Sequence, residues 1–194
     1  MSIILLKDLT LAFPAIAEMQ AIGDGEPAYG ARFPIPVTDK ETIDTIEAAM
    51  LAVAKAKWKD DGEAILAMLK EEGKVCFERK AYRSKKTGKV YDGFENTFSL
   101  GARNAKAQPT TFDEYGKAVL GKVAIEQKFY SGCKVHPKLE FWAQDNSFGR
   151  RINCSLLGVM WAGEGERFGG GSAPASADDF AGLAKAQADA ADVL

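Results

Sequence analysis

The chain has 194 residues, 46% hydrophobic and 27% charged, which are the proportions of an ordinary globular domain and exclude a wholly disordered chain. Its net charge of −2 is uneven: residues 1–69 hold 6 basic and 11 acidic side chains, residues 70–151 hold 17 and 10, and residues 171–194 hold 1 and 4. No apolar run reaches the roughly 18–20 residues of a membrane-crossing helix, the start lacks the features of a secretory signal, and three cysteines without a CxxC pair argue against a disulfide framework, so the expectation is a soluble, reduced, intracellular protein.

In chain order, Ile3–Phe13 is a short apolar run closed by Pro14 and reads as a strand. After the turn cluster Gly23-Asp24-Gly25-Glu26-Pro27, Tyr29, Ala31, Phe33 and Ile35 alternate with Gly30, Arg32 and Pro34. One face of that strand belongs to a core, and Pro34 and Pro36 point to an edge or a strand end. Thr38 and Glu41 stand at capping-box spacing. Ile43, Ile46, Met50 and Val53 recur at helical spacing, which predicts a helix from about Asp39 to Lys57. A weaker helix is expected over 63–70, ending at Gly73.

The period then changes to two. Val75–Arg83 and Val90–Leu100 are expected to pair across a polar turn that holds Lys85, Lys86 and Lys89, with Phe94, Phe98 and Leu100 on the core face. Residues 103–111 read as loop and 112–119 as a short helix. Two strands follow over 132–144 and 150–161, joined at Asp145-Asn146-Ser147-Phe148-Gly149, and Pro137 marks an edge or a bulge. Residues 169–177 form a linker composition and 178–194 an Ala-rich acidic tail. The expected organisation is one domain, 1–168, followed by a flexible tail, 169–194. Short strands with one good helix predict a mainly β fold, a small and largely antiparallel barrel.

Enzymatic readings find little to stand on. His136 is the sole histidine, and Cys133 and His136 lie three apart, on opposite faces of a regular strand, where they cannot share an ion without a bulge. Histidine-dependent acid–base and nucleophilic arrangements fall with it. There is no phosphate-binding loop, and no metal or cofactor is expected.

Basic and aromatic residues interleave instead. Arg79, Lys80, Tyr82, Arg83, Lys85, Lys86, Lys89 and Tyr91 crowd one hairpin. Lys134, Lys138 and Trp142 share a strand face opposite Val135, Leu139 and Phe141, and Arg103, Arg150 and Arg151 extend the cationic set. Cations that follow phosphates, together with flat rings that stack on bases at about 1–3 kcal/mol each, are the means by which single-stranded nucleic acid is held. The same rings suit packing within a sheet, Tyr82 against Tyr91 and Trp142 under a loop. Both readings stand at this level.

Several stretches together amount to a resemblance. They are Gly25-Glu26-Pro27-Ala28-Tyr29 leading into Phe33-Pro34-Ile35-Pro36, the 38–58 helix, Phe98–Asn104, Tyr130-Ser131-Gly132-Cys133-Lys134-Val135, Phe141-Trp142-Ala143, Gly158–Gly170 and Asp178-Asp179-Phe180. In this order they resemble the tailed-phage single-stranded DNA-binding protein family, with Tyr-Ser-Gly-Cys the most particular motif. The resemblance implies an OB-fold, a five-stranded Greek-key barrel with inserted helices. It further implies sequence-independent, non-enzymatic binding of single-stranded DNA in phage replication and recombination, in the cytoplasm of an infected bacterium.

On this reading the groove is lined by Arg79, Tyr82, Arg83, Lys85, Lys86, Tyr91, Arg103, Lys134, Lys138, Trp142, Arg150 and Arg151. Asp178, Asp179 and Phe180 of the acidic tail are the expected contact for a replication partner such as DNA polymerase. The Ala-rich stretch after Phe180 departs from the family's shorter acidic ends. Two rival readings remain open, a virion structural or assembly protein and a single-strand annealing protein.

Overall fold

The computed structural model describes residues 1–21 and 25–169. The expected first strand is divided into β1 (Ser2–Leu5), β2 (Leu9–Thr10) and β3 (Ala12–Gln20). Positive φ at Asp8 (54°) turns the chain between β1 and β2, and a second at Phe13 (49°) lies just inside β3; Pro14 follows inside β3 instead of closing a strand. Then come β4 (Ala28–Pro36), α1 (Lys40–Trp58), a 3-10 turn at Lys59–Asp61 and α2 (Gly62–Glu71). The remaining elements are β5 (Phe77–Glu78), β6 (Thr97–Asn104), β7 (Thr110–Phe112), α3 (Lys122–Lys128), β8 (Lys134–Asn146) and β9 (Gly149–Gly163).

The strands form two sheets. In one, β1 and β2 pair with β8, β8 pairs antiparallel with β9, and β9 pairs parallel with β7; in the other the order is β3-β4-β6-β5. The expected mainly β chain with inserted helices holds. No described pairing closes the two sheets into a single five-stranded barrel.

Alternation decides which face each sheet buries. Ala31, Phe33 and Ile35 of β4, with Leu100 and Ala102 of β6, point into the core. From the other sheet come Val135, Leu139, Phe141, Ile152, Cys154 and Leu156. The α1 stripe Ile43, Ile46, Met50 and Val53, with Leu66 and Leu69 of α2, completes a single cluster. The Asn104 side-chain amide donates to the Leu156 carbonyl at 3.3 Å and ties the sheets together.

Three local expectations are corrected, and the two that rest on Pro34, Pro36 and Pro137 hold. The α1 cap is Asp39 and not Thr38: the Asp39 carboxylate accepts the Thr42 N–H at 3.1 Å. The strand end read at Pro34 and Pro36 holds, since β4 stops at Pro36. They are tolerated because the described β3 pairing ends opposite Arg32, leaving β6 alone beside them. Pro137 is internal, in the gap between the Leu5–Lys138 and Leu9–Val135 pairings and next to a register shift at Lys138/Leu139. The bulge expected there is present and the edge is not.

The hairpin over 75–100 is mostly irregular. Only Phe77 and Glu78 pair with β6, and an isolated bridge joins Arg83 to Val90. Positive φ at Gly88, Gly93 and Asn96 breaks the remainder into turns. Finally, 112–119 is not helical. The Asp113 carboxylate accepts the N–H groups of Tyr115 (3.0 Å) and Lys117 (2.8 Å) and holds a turn, and the helix forms afterwards as α3. Among the described residues no helix is long and apolar enough to cross a membrane.

Candidate nucleic-acid interface

The face of β4 and β6 that turns away from the core carries small residues between two cations. Gly30 lies opposite Arg103, and Arg32 opposite Gly101. The guanidinium carbon of Arg32 stands 3.5 Å from where a Cβ on Gly101 would lie, in ordinary van der Waals contact with that position. The guanidinium donates to the hydroxyl of buried Ser99 at 2.8 Å. Its carbon stands 3.8 Å from the centroid of the Tyr82 ring.

Aromatic rings continue from there. Tyr82 stacks on Tyr91 with centroids 5.2 Å apart and planes 23° apart. Phe13 meets both rings edge-on, at 5.9 and 5.0 Å, and stacks on buried Phe94 at 6.0 Å. The Phe13 N–H donates to the Ser131 hydroxyl at 3.0 Å, and 44% of the residue stays exposed. Arg103 bounds the other side, donating to the Glu26 carbonyl at 2.7 Å. Phe13, Arg32, Tyr82, Tyr91 and Arg103, with small residues of β3, β4 and β6 between them, line an open cleft of about 230 Å³. Arg32 bonds a hydroxyl and Arg103 a carbonyl, so neither bond cancels its charge. Flat π faces beside two such cations suit a base and its phosphate.

Three of the twelve residues singled out from sequence line this cleft: Tyr82, Tyr91 and Arg103. Arg83 donates to the Gly88 carbonyl at 3.2 Å inside its own turn, whose tip exposes Lys85 and Lys86. Arg79 pairs with Glu47 of α1 at 3.0 Å. Lys134, Lys138 and Trp142 share a face of β8 as expected, but it is the outer face of the five-stranded sheet. There Lys134 donates to the Thr10 hydroxyl at 2.7 Å and the Trp142 indole N–H to the Ser155 hydroxyl at 3.1 Å. Arg150 pairs with Asp145 at 3.4 Å, and Arg151 is exposed beside it. Asp178, Asp179 and Phe180 lie outside the described residues.

Among the cleft residues that escape the sequence reading are a cation, Arg32, and an exposed ring, Phe13. Arg32 left a signal, a lone cation on the non-core register of β4. Phe13 left none, because it reads as the end of an apolar run until its positive φ is known. His136 has a local role: its Nδ1 accepts the Asp8 N–H at 3.1 Å and holds the bend between β1 and β2.

A family model described as Enterobacter phage Enc34, ssDNA-binding protein, matches residues 1–194. The chain belongs to that family. A relative described as putative protein p50, from Acyrthosiphon pisum secondary endosymbiont phage 1, is 31% identical over 185 residues, 94% of each chain. The fold is also that of solved structures. The single-stranded DNA-binding protein from bacteriophage Enc34, in complex with single-stranded DNA, superposes with a TM-score of 0.70 at 21% identity, covering 86% of this chain and 89% of that one. The gp2.5 single-stranded DNA binding protein encoded by bacteriophage T7 gives 0.52 at 16% identity, covering 98% and 99%.

Proposed function

We propose that this chain binds single-stranded DNA without sequence preference and without catalysis, in phage DNA replication and recombination in the cytoplasm of the infected host. The observation that carries the reading is the Arg32–Tyr82–Tyr91 stack with exposed Phe13 beside it, in a chain of this family. Every base has a π face, so stacking tolerates any sequence, while a duplex has its faces already occupied. Lys85 and Lys86 at the neighbouring turn tip, with Lys89, add phosphate contacts. Lys134, Lys138 and Trp142, with Arg150 and Arg151, provide a second track on the other sheet. The two sheets around one core are read as an OB-type barrel, the architecture whose strand faces and loops bind oligonucleotides.

The acidic tail belongs to the same proposal. Asp178 and Asp179 compete weakly for the cationic groove at the high effective concentration of a tethered segment. DNA displaces them and frees Phe180 for a replication protein such as a polymerase.

The test is fluorescence anisotropy with labelled oligo-dT and a duplex of equal length across a salt series. The expected result is preference for oligo-dT, with log affinity falling against log salt by about 0.7 per phosphate contact. Equal affinity for the duplex overturns the reading. Absence of salt-sensitive binding returns the chain to a virion structural role, and rapid pairing of complementary strands makes it an annealing protein.

A further inference from the structure

Residues 164–169 follow β9 and cross back over the start of β8. The Tyr130 hydroxyl donates to the Glu164 carboxylate, and the Gly165 N–H donates to the Tyr130 oxygen at 3.2 Å. The Arg167 guanidinium carbon stands 3.6 Å from the Tyr130 ring centroid. Gly132 and Gly165 let the two segments meet backbone to backbone: a Cβ on Gly132 would run into the Glu166 carbonyl, and one on Gly165 into the Gly132 carbonyl. The strap is therefore seated by close contact along its length.

Its far end reaches the aromatic cleft. The Phe168 ring occupies the space where Gly93 would carry a Cβ, and the Gly169 N–H donates to the Asp92 carboxylate at 3.2 Å. Asp92 and Gly93 lie between Tyr91, which stacks on Tyr82, and Phe94, which stacks on Phe13. Ser131 serves both sides. Its hydroxyl accepts the Phe13 N–H at 3.0 Å and its carbonyl the Phe168 N–H at 3.1 Å.

The Tyr82–Phe94 segment has little regular pairing of its own, the Arg83–Val90 bridge and a few turn bonds. Its posture is set from outside, by Arg32 on one side and the strap on the other. We propose that the 164–169 strap is a positioning part of the DNA-binding cleft, in which Phe168, seated on Gly93, holds Tyr82, Tyr91 and Phe13 in the arrangement that receives bases. This rests on the function proposed above.

The experiment compares the full-length chain with Phe168→Ala, on oligo-dT and on an abasic strand of the same length. A positioning role acts on stacking and leaves phosphate contacts intact. The expected result is a loss of about tenfold or more on oligo-dT, an unchanged affinity for the abasic strand, an unchanged salt slope, and recovery in Phe168→Tyr. Equal losses on both strands, or no loss on either, overturn the proposal. If Phe168→Ala fails to fold, Asp92→Ala removes the acceptor of the Gly169 N–H at the surface and is judged by the same criterion. A wild-type chain that binds the abasic strand as tightly as oligo-dT overturns the stacking reading and this proposal together. A wild-type preference for bases that survives both variants overturns the strap alone.

Discussion

Arg32 holds its place through shape as much as charge. A planar guanidinium lies between the Tyr82 ring and the open backbone of Gly101 while donating to Ser99, an arrangement worth about 0.5–2 kcal/mol in its cation–π part. Lysine keeps the charge and loses the plane and the fork. Arg32→Lys is therefore expected to weaken oligo-dT binding severalfold with the salt slope preserved. Arg32→Ala lowers both, the slope by about 0.7. Titrations at several salt concentrations separate the two, and a slope that falls equally in both variants contradicts the stacking role. The thiols differ in the same residue-level way. Burial pushes the Cys133 thiol up to about 12. Burial, with Cys76 beside it, also raises Cys154. Alkylation needs the thiolate, so at pH 8 iodoacetamide is expected to modify half-exposed Cys76 first, with Cys133 and Cys154 reacting only after denaturation. Mass spectrometry of peptides gives the order.

At the scale of elements, α1 tests how finely a sequence pattern locates a helix end. The Asp39 carboxylate accepts the Thr42 N–H, so Asp39→Ala is expected to cost about 1 kcal/mol in urea denaturation, while Thr38→Ala changes stability far less. The reverse order would restore Thr38 as the cap. Repeating patterns were legible: the α1 stripe, α2, and the alternation of β8 and β9 all match the structure within a few residues at their ends. Single-residue conformations were not. The break between β1 and β2 falls at left-handed backbone at Asp8, and Phe13 is left-handed just inside β3; no side-chain period encodes either. Pro34, Pro36 and Pro137 marked what they were read to mark: Pro34 and Pro36 lie past the end of β3 pairing, where β4 stops, and Pro137 sits beside a register shift in the gap between β1 and β2. The site was legible to the same degree. Tyr82 and Tyr91 follow from local crowding of cations and rings, whereas Arg32 and Phe13 reach them only through the pairing of distant strands.

At the scale of the whole molecule, the cleft and the Trp142 face lie on different sheets, and a strand must be long enough to engage both. If the proposed OB-type reading holds, the site spans about 4–16 nucleotides. A short oligo-dT that fills the cleft is expected to feel Tyr82→Ala and Tyr91→Ala and to be indifferent to Trp142→Ala. A long one is expected to feel all three, and to lose about 0.7 of salt slope for each of Lys134 and Lys138 replaced by alanine. Fluorescence gives an independent reading of the same path. Trp58 and Trp161 are each 8% exposed, and the Trp58 indole N–H is bonded to Asp145 at 2.7 Å. Half-buried Trp142 is thus the indole that DNA can reach, and quenching is expected with long strands and not with short ones. That face is not purely cationic. Glu140 shares it and opposes Lys138, and the indole N–H is already satisfied by Ser155, so only stacking of the ring face can bring a base there. If Trp142→Ala weakens every length equally, the strand crosses Trp142 first and the cleft is secondary. If it weakens none, Trp142 is packing for β8 against β9, and the path of the DNA is confined to Arg32, Arg103 and the rings between them.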